Sequence, residues 1–329
     1  MEYRRLGKSG LQISTLSYGS WVTFHSQIDD SLGDRLMGLA YDNGINFFDN
    51  AEIYALGESE KMMGRVLKNK KWDRTSYIVS SKAYFGWRGT ENKPNQTGLS
   101  RKHLVEACHE ALQRMQLDYL DLYYCHRPDR NVPIEEVVWT MTHLIQQGKI
   151  LYWGTSEWTA AEIMEAHMVA RQYNLIGPVV EQPEYNLFRR EKIELEYLPV
   201  FNSVGLGTTI FSPLASGILT GKYNNGVPEG SRLSLEGYEW LRNRNLLDAN
   251  IAKVKQLEKV AKDLGTTLAV LAVAWTIRNP NVSSTILGAT KEAQLTETLK
   301  ALEVYPQLTP EIMKEIDTIM GNAPTAIRH

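Results

Sequence analysis

Cysteine is scarce in this chain of 329 residues, which contains only Cys108 and Cys125. Neither one stands in a metal-ligand spacing, so we expect no structural disulfide, no metal site and a reducing compartment such as the cytoplasm. An excess of charge of either sign is also missing, because 36 basic residues face 38 acidic ones and the formal net charge is −2. This balance gives no support for binding to nucleic acid or to an anionic membrane surface.

Long apolar runs are missing as well. No run is long enough to span a bilayer, and Met1 to Arg5 do not begin an apolar signal segment. Hydrophobic residues make up 43% of the chain and charged residues 22%, as in an ordinary globular protein. We therefore expect a soluble intracellular protein that is not inserted in a membrane.

The fingerprint G-x-G-x-x-G of doubly wound dinucleotide-binding sheets does not occur, which weakens that competing architecture. What does occur is an alternation of short apolar runs and helical patterns. The predicted strands cover residues 16–21, 45–48, 77–82, 121–126, 150–155, 179–182, 207–211 and 284–287. The predicted helices cover residues 30–43, 58–68, 102–115, 133–147, 160–173, 191–204, 249–265 and 268–277, with an irregular polar stretch at 221–245. About eight strands, each followed by a helix, predict an α/β protein with a (β/α)8 TIM barrel, as a single domain over residues 1–329.

Four ionisable side chains lie at or near the ends of three predicted strands. Asp49 follows the strand 45–48, Tyr54 stands in the next loop, and Lys82 and His126 close the following two strands. Because the carboxyl ends of parallel strands converge on one face, we expect these four side chains to share a site. For Asp49 and Tyr54 taken as a pair, an alternative remains open in which Asp49 caps a helix and Tyr54 packs on the surface.

A tyrosine beside a lysine and a carboxylate has a chemical use. A free phenol has a pKa near 10, so it is a poor proton donor at neutral pH. An adjacent ammonium favours the tyrosinate, and a carboxylate holds that ammonium in place. We therefore expect Tyr54 to give or take a proton at about pH 7, tuned by Lys82 and anchored by Asp49.

These four residues and their flanking sequences resemble the aldo-keto reductase superfamily, whose pattern is Asp and Tyr after the second barrel strand, Lys after the third and His after the fourth. The resemblance is strongest for the branch that holds the β subunits of voltage-gated potassium channels and their bacterial reductase relatives. Shared phrases are AYDNGIN at 40–46, GLSRKH at 98–103 and YWGTS at 152–156. The resemblance implies an N-terminal β-hairpin within residues 3–14 that plugs the bottom of the barrel, and a C-terminal loop and helix region that covers a cofactor.

The resemblance also implies that the chain binds NADP(H). The family lays the Gly/Ser/Pro loop after residues 207–211 along the pyrophosphate, although connector loops have the same composition. Lys222 and Arg232 match basic positions near the phosphates, and either one taken singly is more typical of a solvated loop face. The predicted cofactor-binding residues are Ser20, Trp21, Gln27, Asp49, Ser156, Gln182, Phe211, Ser212, Pro213, Leu214, Ser216, Lys222, Arg232, Gly288, Thr290, Gln294 and Glu297.

Among these, Phe211 matches the position that stacks on the nicotinamide, and Ser156 and Gln182 match residues that hydrogen-bond its carboxamide. The chain departs from the channel subunits at Glu157, Gly230 and Thr298, which bears on cofactor affinity and exchange. His126 stands where those subunits have Asn, so the site follows the pattern of the active reductases.

The predicted reaction is reversible hydride transfer from NADPH to an aldehyde or ketone, with Tyr54 as general acid and His126 orienting the carbonyl. No metal is needed for it. The alternative is an NADP(H)-binding regulatory β subunit that senses redox state and docks on a potassium channel. The related branch also implies a possible homo-oligomer, a tetramer. Aromatic residues expected around an apolar substrate pocket are Trp21, Tyr84, Phe85 and Trp87.

Overall fold

A computed structural model describes residues 1–325 and shows a hairpin followed by a closed barrel of eight parallel strands. The hairpin consists of β1 (Tyr3–Arg5) and β2 (Gln12–Ser14). The barrel strands are β3 (Leu16–Gly19), β4 (Phe47–Asp49), β5 (Ile78–Ala83), β6 (Leu120–Cys125), β7 (Ile150–Ser156), β8 (Val180–Gln182), β9 (Gly207–Ile210) and β10 (Ser284–Leu287). Neighbouring strands pair in chain order, and β10 closes the barrel by pairing with both β3 and β9. The predicted (β/α)8 TIM barrel and its N-terminal hairpin are confirmed.

Helices follow the strands and cover the outside of the barrel. They are α1 (Asp30–Asp42), α2 (Glu58–Lys70), α3 (Arg101–Met115), α4 (Ile134–Gln146), α5 (Ala160–Gln172), α6 (Leu198–Val204), α7 (Glu239–Asn245), α8 (Asp248–Asp263), α9 (Leu268–Arg278), α10 (Glu292–Leu299), α11 (Ala301–Val304) and α12 (Pro310–Met320). Local sequence sets several of their starts, as where Asp29 accepts from the Leu32 amide at 2.9 Å and begins α1. Within the described 325 residues no single helix is long and apolar enough to cross a membrane, and α8 and α9 reach that length only as a pair bent by 87°.

Two predicted segments differ from the structure. The helix predicted over 191–204 is broken into a π-helical turn at Lys192–Glu196 and α6. The break has a physical reason, because Pro199 has no amide proton and favours the start of a new helix. The stretch 221–245, predicted to be irregular, contains α7, whose buried Leu241 and Asn245 hold it against the barrel mouth.

The hairpin closes the N-terminal end of the barrel. Leu6 and Ile13 pack inside it with Phe47, Leu122 and other barrel residues, forming an apolar cluster separate from the larger one between strands and helices. Gly7 makes this close approach possible, since a Cβ there would lie 2.2 Å from the Gly205 carbonyl oxygen. With this end filled by side chains, the opposite, C-terminal end is the open one.

Candidate active site

A fully buried lysine at the end of β5 joins the end of β4 and the loop after it at the open end of the barrel. Lys82 Nζ donates to Asp49 Oδ2 at 2.6 Å, to the Asn50 carbonyl oxygen at 2.8 Å and to the Tyr54 hydroxyl oxygen at 3.2 Å. The side chain of Lys82 has no solvent exposure and that of Asp49 only 4%. Ser80 donates to the other Asp49 oxygen at 2.8 Å, so the carboxylate is held on both sides. Because the ion pair is buried, the Lys82 ammonium is held in a fixed position next to the Tyr54 hydroxyl.

Tyr54 reaches this lysine from a tight turn after β4. The turn covers Tyr54–Gly57, and the backbones of Ala55 and Leu56 adopt left-handed conformations with φ of 48° and 53°. Such conformations are unfavourable for residues other than glycine, and they cluster at functional sites. Because Lys82 donates to the phenol oxygen, the Tyr54 hydroxyl proton is left with no acceptor among residues 1–325 and is free for a ligand.

His126 completes the group from the end of β6. Its ring lies 5.9 Å from the Tyr54 ring, centroid to centroid, and 5.1 Å from the Phe85 ring, edge to face in both cases. Its backbone amide extends the sheet by donating to the Ala83 carbonyl oxygen at 3.0 Å. Nδ1 is buried and has no partner in the part of the chain that is described. The structure thus brings all four predicted catalytic side chains together.

Burial decides the charge states of this group. It raises the pKa of Tyr54 well above 10, and the charge of Asp49 adds to that rise. Burial also lowers the pKa of the Lys82 ammonium, against the opposing charge of Asp49. The pKa of His126 falls well below 6.5, first through burial and then through the charges of Lys82 and Arg127. For Tyr54, desolvation of the phenol and the charge of Asp49 outweigh the opposing charge of Arg127, so the net pKa shift favours the neutral phenol and not the tyrosinate, beside a neutral imidazole at His126.

One large cavity, of about 1060 Å³, opens above these side chains. Apart from Ser20 and Lys82, every predicted site residue lines it. Lys82 lies beneath its floor in contact with Tyr54. Ser20 is fully buried and its hydroxyl donates to the Asp49 carbonyl oxygen at 3.0 Å, so this side chain positions the strand end and does not face a ligand.

The loop after β9 forms one wall of the cavity. Ser212, Ala215 and Ser216 have φ of 54°, 47° and 59°, and with Gly217 they curl the backbone into a compact loop. Its outer side is tied down, since Asn186 Nδ2 donates to the Ser212 carbonyl oxygen at 3.0 Å. Phe211, which precedes the loop, is partly exposed on the same wall.

Gln182 and Ser156 stand at neighbouring strand ends, paired in register. The Gln182 amide donates to Asp49 Oδ1 at 3.1 Å and to Thr209 Oγ1 at 3.3 Å. The Ser156 hydroxyl donates to the Gln182 carbonyl oxygen at 2.8 Å. Both side chains line the cavity, but their donors already have protein acceptors. What they leave for a ligand is the Gln182 amide oxygen and the Ser156 hydroxyl oxygen.

Arg232 is a cation without a carboxylate partner in the part of the chain that the structure describes. Its guanidinium lies 5.4 Å from the Trp21 ring centroid, and a Cβ at Gly288 would lie 3.8 Å from Nη2. Burial lowers its pKa, and the only groups that oppose this are two tyrosines, Tyr223 and Tyr238. A partly buried, unpaired guanidinium on a cavity wall is suited to an anionic ligand.

Lys222 and the turn before α10 lie along the same side of the cavity. Lys222 is exposed and lies 5.1 Å from the Tyr223 ring centroid. In the turn, the Thr290 amide already donates to Gln294 Oε1 at 2.8 Å. This amide is therefore not free to bind a ligand, because the Gln294 side chain folds back and accepts its hydrogen bond.

Several cavity residues were missed from the sequence. Those with charged or large aromatic side chains are Arg127, Glu157, Glu184, Glu229, Trp240, Arg244 and Lys291. Arg244, from α7, pairs with Glu184 and ties the loop over the cavity to the end of β8. Of the aromatic residues expected at the mouth, Trp21 and Phe85 line the cavity but Tyr84 and Trp87 do not. Trp87 turns away because its Nε1 donates to Glu110 at 2.6 Å.

Comparison with known proteins agrees with this geometry. The sequence profile of the aldo/keto reductase family matches residues 15–320. The chain belongs to the aldo/keto reductase family. It is 50% identical over 325 residues to a protein of Oryza sativa subsp. japonica named "Probable voltage-gated potassium channel subunit beta", with 98% of each chain covered. A protein of the same name from Arabidopsis thaliana is 49% identical over 325 residues, again with 98% of each covered.

The resemblance stated from the sequence is thus confirmed. In an aldo/keto reductase the barrel mouth must hold a dinucleotide as well as a substrate. The cavity has the volume for both, the curled loop after β9 supplies a backbone wall, and Arg232 supplies a cation that the protein leaves unpaired. These features fit an anionic dinucleotide lying between β9 and β10.

Proposed function

We propose that this aldo/keto reductase reduces aldehydes or ketones to alcohols with NADPH, reversibly. The observation that supports this most directly is the Lys82 ammonium, fully buried and hydrogen-bonded to both Asp49 and Tyr54, with the His126 ring beside the Tyr54 ring. NADPH, when bound, supplies the hydride to the carbonyl carbon. Tyr54 acts as general acid and gives its proton to the carbonyl oxygen, which becomes the alcohol hydroxyl.

The protonation states suit reduction. The raised pKa keeps the Tyr54 phenol protonated, and Lys82 donates to the phenol oxygen from below, so the proton faces the cavity. As the proton leaves, negative charge develops on that oxygen next to the ammonium, which stabilises it. The lowered pKa keeps His126 neutral, so it contributes a hydrogen bond to the carbonyl oxygen without a charge.

The proposed cofactor is NADP(H) in preference to NAD(H). Arg232 would hold the 2′-phosphate, with Lys222 adding a second, solvated cation. Phe211 would stack on the nicotinamide, and the oxygens of Ser156 and Gln182 would accept hydrogen bonds from its carboxamide. We further propose that the chain works in the cytoplasm as a single barrel domain and assembles as a homo-oligomer.

The test is turnover by purified protein. NADPH oxidation is followed by its absorbance with 4-nitrobenzaldehyde and a panel of other aldehydes and ketones, and repeated with NADH. We expect turnover that depends on the carbonyl compound and is faster at low concentrations of NADPH than of NADH. NADPH that binds but is not consumed with any carbonyl compound would refute the reductase.

A second candidate function is regulation of a potassium channel. Its support is the name that the two plant relatives share, both of which match over 98% of their length. Under this alternative the chain binds NADP(H) to sense redox state and docks on a channel. The position of His126 beside Tyr54 favours the enzyme over the regulatory subunit, because a redox sensor needs no group to polarise a carbonyl.

A further inference from the structure

Arg127, directly after His126, brings a further cation to the cavity. Its Nη1 donates to the His126 carbonyl oxygen and to the Ser156 hydroxyl oxygen, the latter at 3.3 Å. The guanidinium carbon lies 5.6 Å from the Phe85 ring centroid. Nε and Nη2 have no acceptor anywhere in residues 1–325, so one two-donor edge of the guanidinium remains unused.

The carboxylates that line the neighbouring wall are engaged elsewhere. Glu157 pairs with Lys192 at 3.2 Å, and its other oxygen accepts from the Glu184 amide at 2.6 Å. Glu184 in turn pairs with Arg244. No ion pair within the described chain includes Arg127, so its positive charge is uncompensated where it meets the cavity.

The position of Arg127 ties this charge to the reacting groups. It follows His126 without a gap, packs on the same Phe85 ring as that histidine, and its charge lowers the pKa of both His126 and Tyr54. Arg232, by contrast, sits between Trp21 and Gly288, on the β3 and β10 side of the cavity. A dinucleotide phosphate held by Arg232 therefore leaves Arg127 to the substrate.

We propose that Arg127 selects carbonyl substrates that carry a carboxylate, which the free Nε and Nη2 edge binds while Tyr54 and His126 meet the carbonyl oxygen. This inference rests on the proposed reductase function and adds a substrate class to it. A carboxylate matches the two parallel donors of a guanidinium edge, and the interaction gains strength in a partly desolvated pocket. Arg127 is on this view a substrate-binding residue, and it does not take part in proton transfer.

The experiment compares two aldehydes of similar size, 4-carboxybenzaldehyde and its neutral methyl ester, in wild type, Arg127→Gln and Arg127→Lys. The readout is the ratio of the two kcat/KM values with NADPH, in which effects common to both substrates cancel. We expect wild type to prefer the acid, Arg127→Gln to lower the ratio about 10- to 100-fold, and Arg127→Lys to retain part of it. Arg130→Gln is the matched control, since Arg130 is three residues away, 83% exposed and not on the cavity wall.

A binding measurement separates this inference from the proposed reaction. Benzoate and benzamide are titrated calorimetrically into wild type and Arg127→Gln, with and without NADP. Preference for benzoate that disappears in Arg127→Gln supports the carboxylate site even where neither aldehyde is reduced, an outcome that would refute only the reductase. Wild type without preference for benzoate or for the acid, or a variant in which both substrates fall equally, overturns the inference.

Discussion

Lys82 and Arg232 are both cations of the barrel mouth, but the protein treats them in opposite ways. Lys82 has no solvent exposure and three acceptors, among them a carboxylate at 2.6 Å. Arg232 is partly buried against Trp21 and has no carboxylate partner in the described part of the chain. Lys82 therefore has its charged partner before any ligand binds, whereas Arg232 would gain one only from a ligand.

This difference separates preorganisation from recognition. A paired charge holds its neighbours in a fixed arrangement, and breaking the pair leaves a buried carboxylate uncompensated. An unpaired charge raises the free energy of the empty site, and an anionic ligand recovers that free energy on binding. Substitutions at the paired charge should therefore lower the stability of the free protein or its catalytic rate. Substitutions at the unpaired charge should lower only the affinity for the ligand.

The largest effect is expected for Tyr54→Phe. Removing the phenol takes away the general acid, so kcat for carbonyl reduction should fall by about 10²- to 10⁴-fold. NADPH affinity should stay the same, since no phosphate-binding group is touched. Steady-state kinetics and fluorescence titration of NADPH measure the two. Tyr84→Phe serves as control, because Tyr84 does not line the cavity; equal losses in both variants would contradict the assigned role.

Lys82→Met breaks the paired cation. It leaves the Asp49 carboxylate buried with only Ser80 and Gln182 as partners, which should cost about 3–5 kcal/mol of unfolding free energy as well as activity. Urea denaturation measures the loss. Lys255→Met is the control, since Lys255 is exposed on α8. If the two variants were equally stable, the buried pair would have no role in preorganisation.

Glu181 allows the comparison of paired and unpaired groups to be tested on a buried carboxyl group. It is fully buried without a cation at ion-pair distance among residues 1–325, and burial raises its pKa from 4.5 to about 8. Between those two values the folded protein keeps a proton that the unfolded chain releases, so stability falls as pH rises through this window. Relative to Glu181→Gln, wild type should lose about 4 kcal/mol by pH 8. The unfolding free energies of wild type and Glu181→Gln are measured by denaturation at several pH values. If both changed with pH in the same way, Glu181 would be charged in the folded state.

Arg232→Ala removes the unpaired cation. NADPH binding should weaken about 10- to 100-fold, because a charge-assisted hydrogen bond to the 2′-phosphate is lost, and NADH binding should change far less. The stability of the free protein should not fall, in contrast to Lys82→Met. Titration of both dinucleotides decides this, with Arg242→Ala as an exposed control in α7. Equal weakening of NADPH and NADH would refute the phosphate contact.

The smallest effect is expected for the ion pair between Arg244 and Glu184, which is partly exposed to solvent. Arg244 and Glu184 tie α7 to the end of β8, but the Arg244 side chain is 40% exposed, so the pair should contribute at most about 1 kcal/mol. Arg244→Ala should speed NADPH release less than about fivefold, measured by stopped-flow fluorescence. Release rates unchanged from those of Arg242→Ala would mean that the loop is held by its apolar contacts alone.

The barrel and its strand ends followed closely from local patterns in the sequence. The predicted strand 284–287 has the same bounds as β10, and the other seven differ from the observed strands by one or two residues at an end. Prediction was weaker where one residue changes the backbone, as at Pro199, and in the long polar segment that holds α7. There, buried contacts with distant residues stabilise a helix that local polarity does not indicate.

The site was predicted unevenly for a related reason. Asp49, Lys82 and His126 stand at strand ends, and the parallel barrel brings such positions together whatever the details of packing. Arg127 and Glu184 also stand near strand ends, but nothing local distinguishes a free cation from a paired one. Pairing depends on partners 35 to 60 residues away in sequence, since Glu157 pairs with Lys192 and Glu184 with Arg244.

The sequence by itself determined the alternation of strands and helices and the order of the four predicted catalytic residues, because both depend on local patterns along the chain. Only the tertiary structure decided that the pKa of Tyr54 is raised, that Gln294 folds back on the Thr290 amide, and that Arg127 and Arg232 have no carboxylate partner among residues 1–325. Charge state and pairing depend on desolvation and on distances through space, which become definite only when the barrel closes.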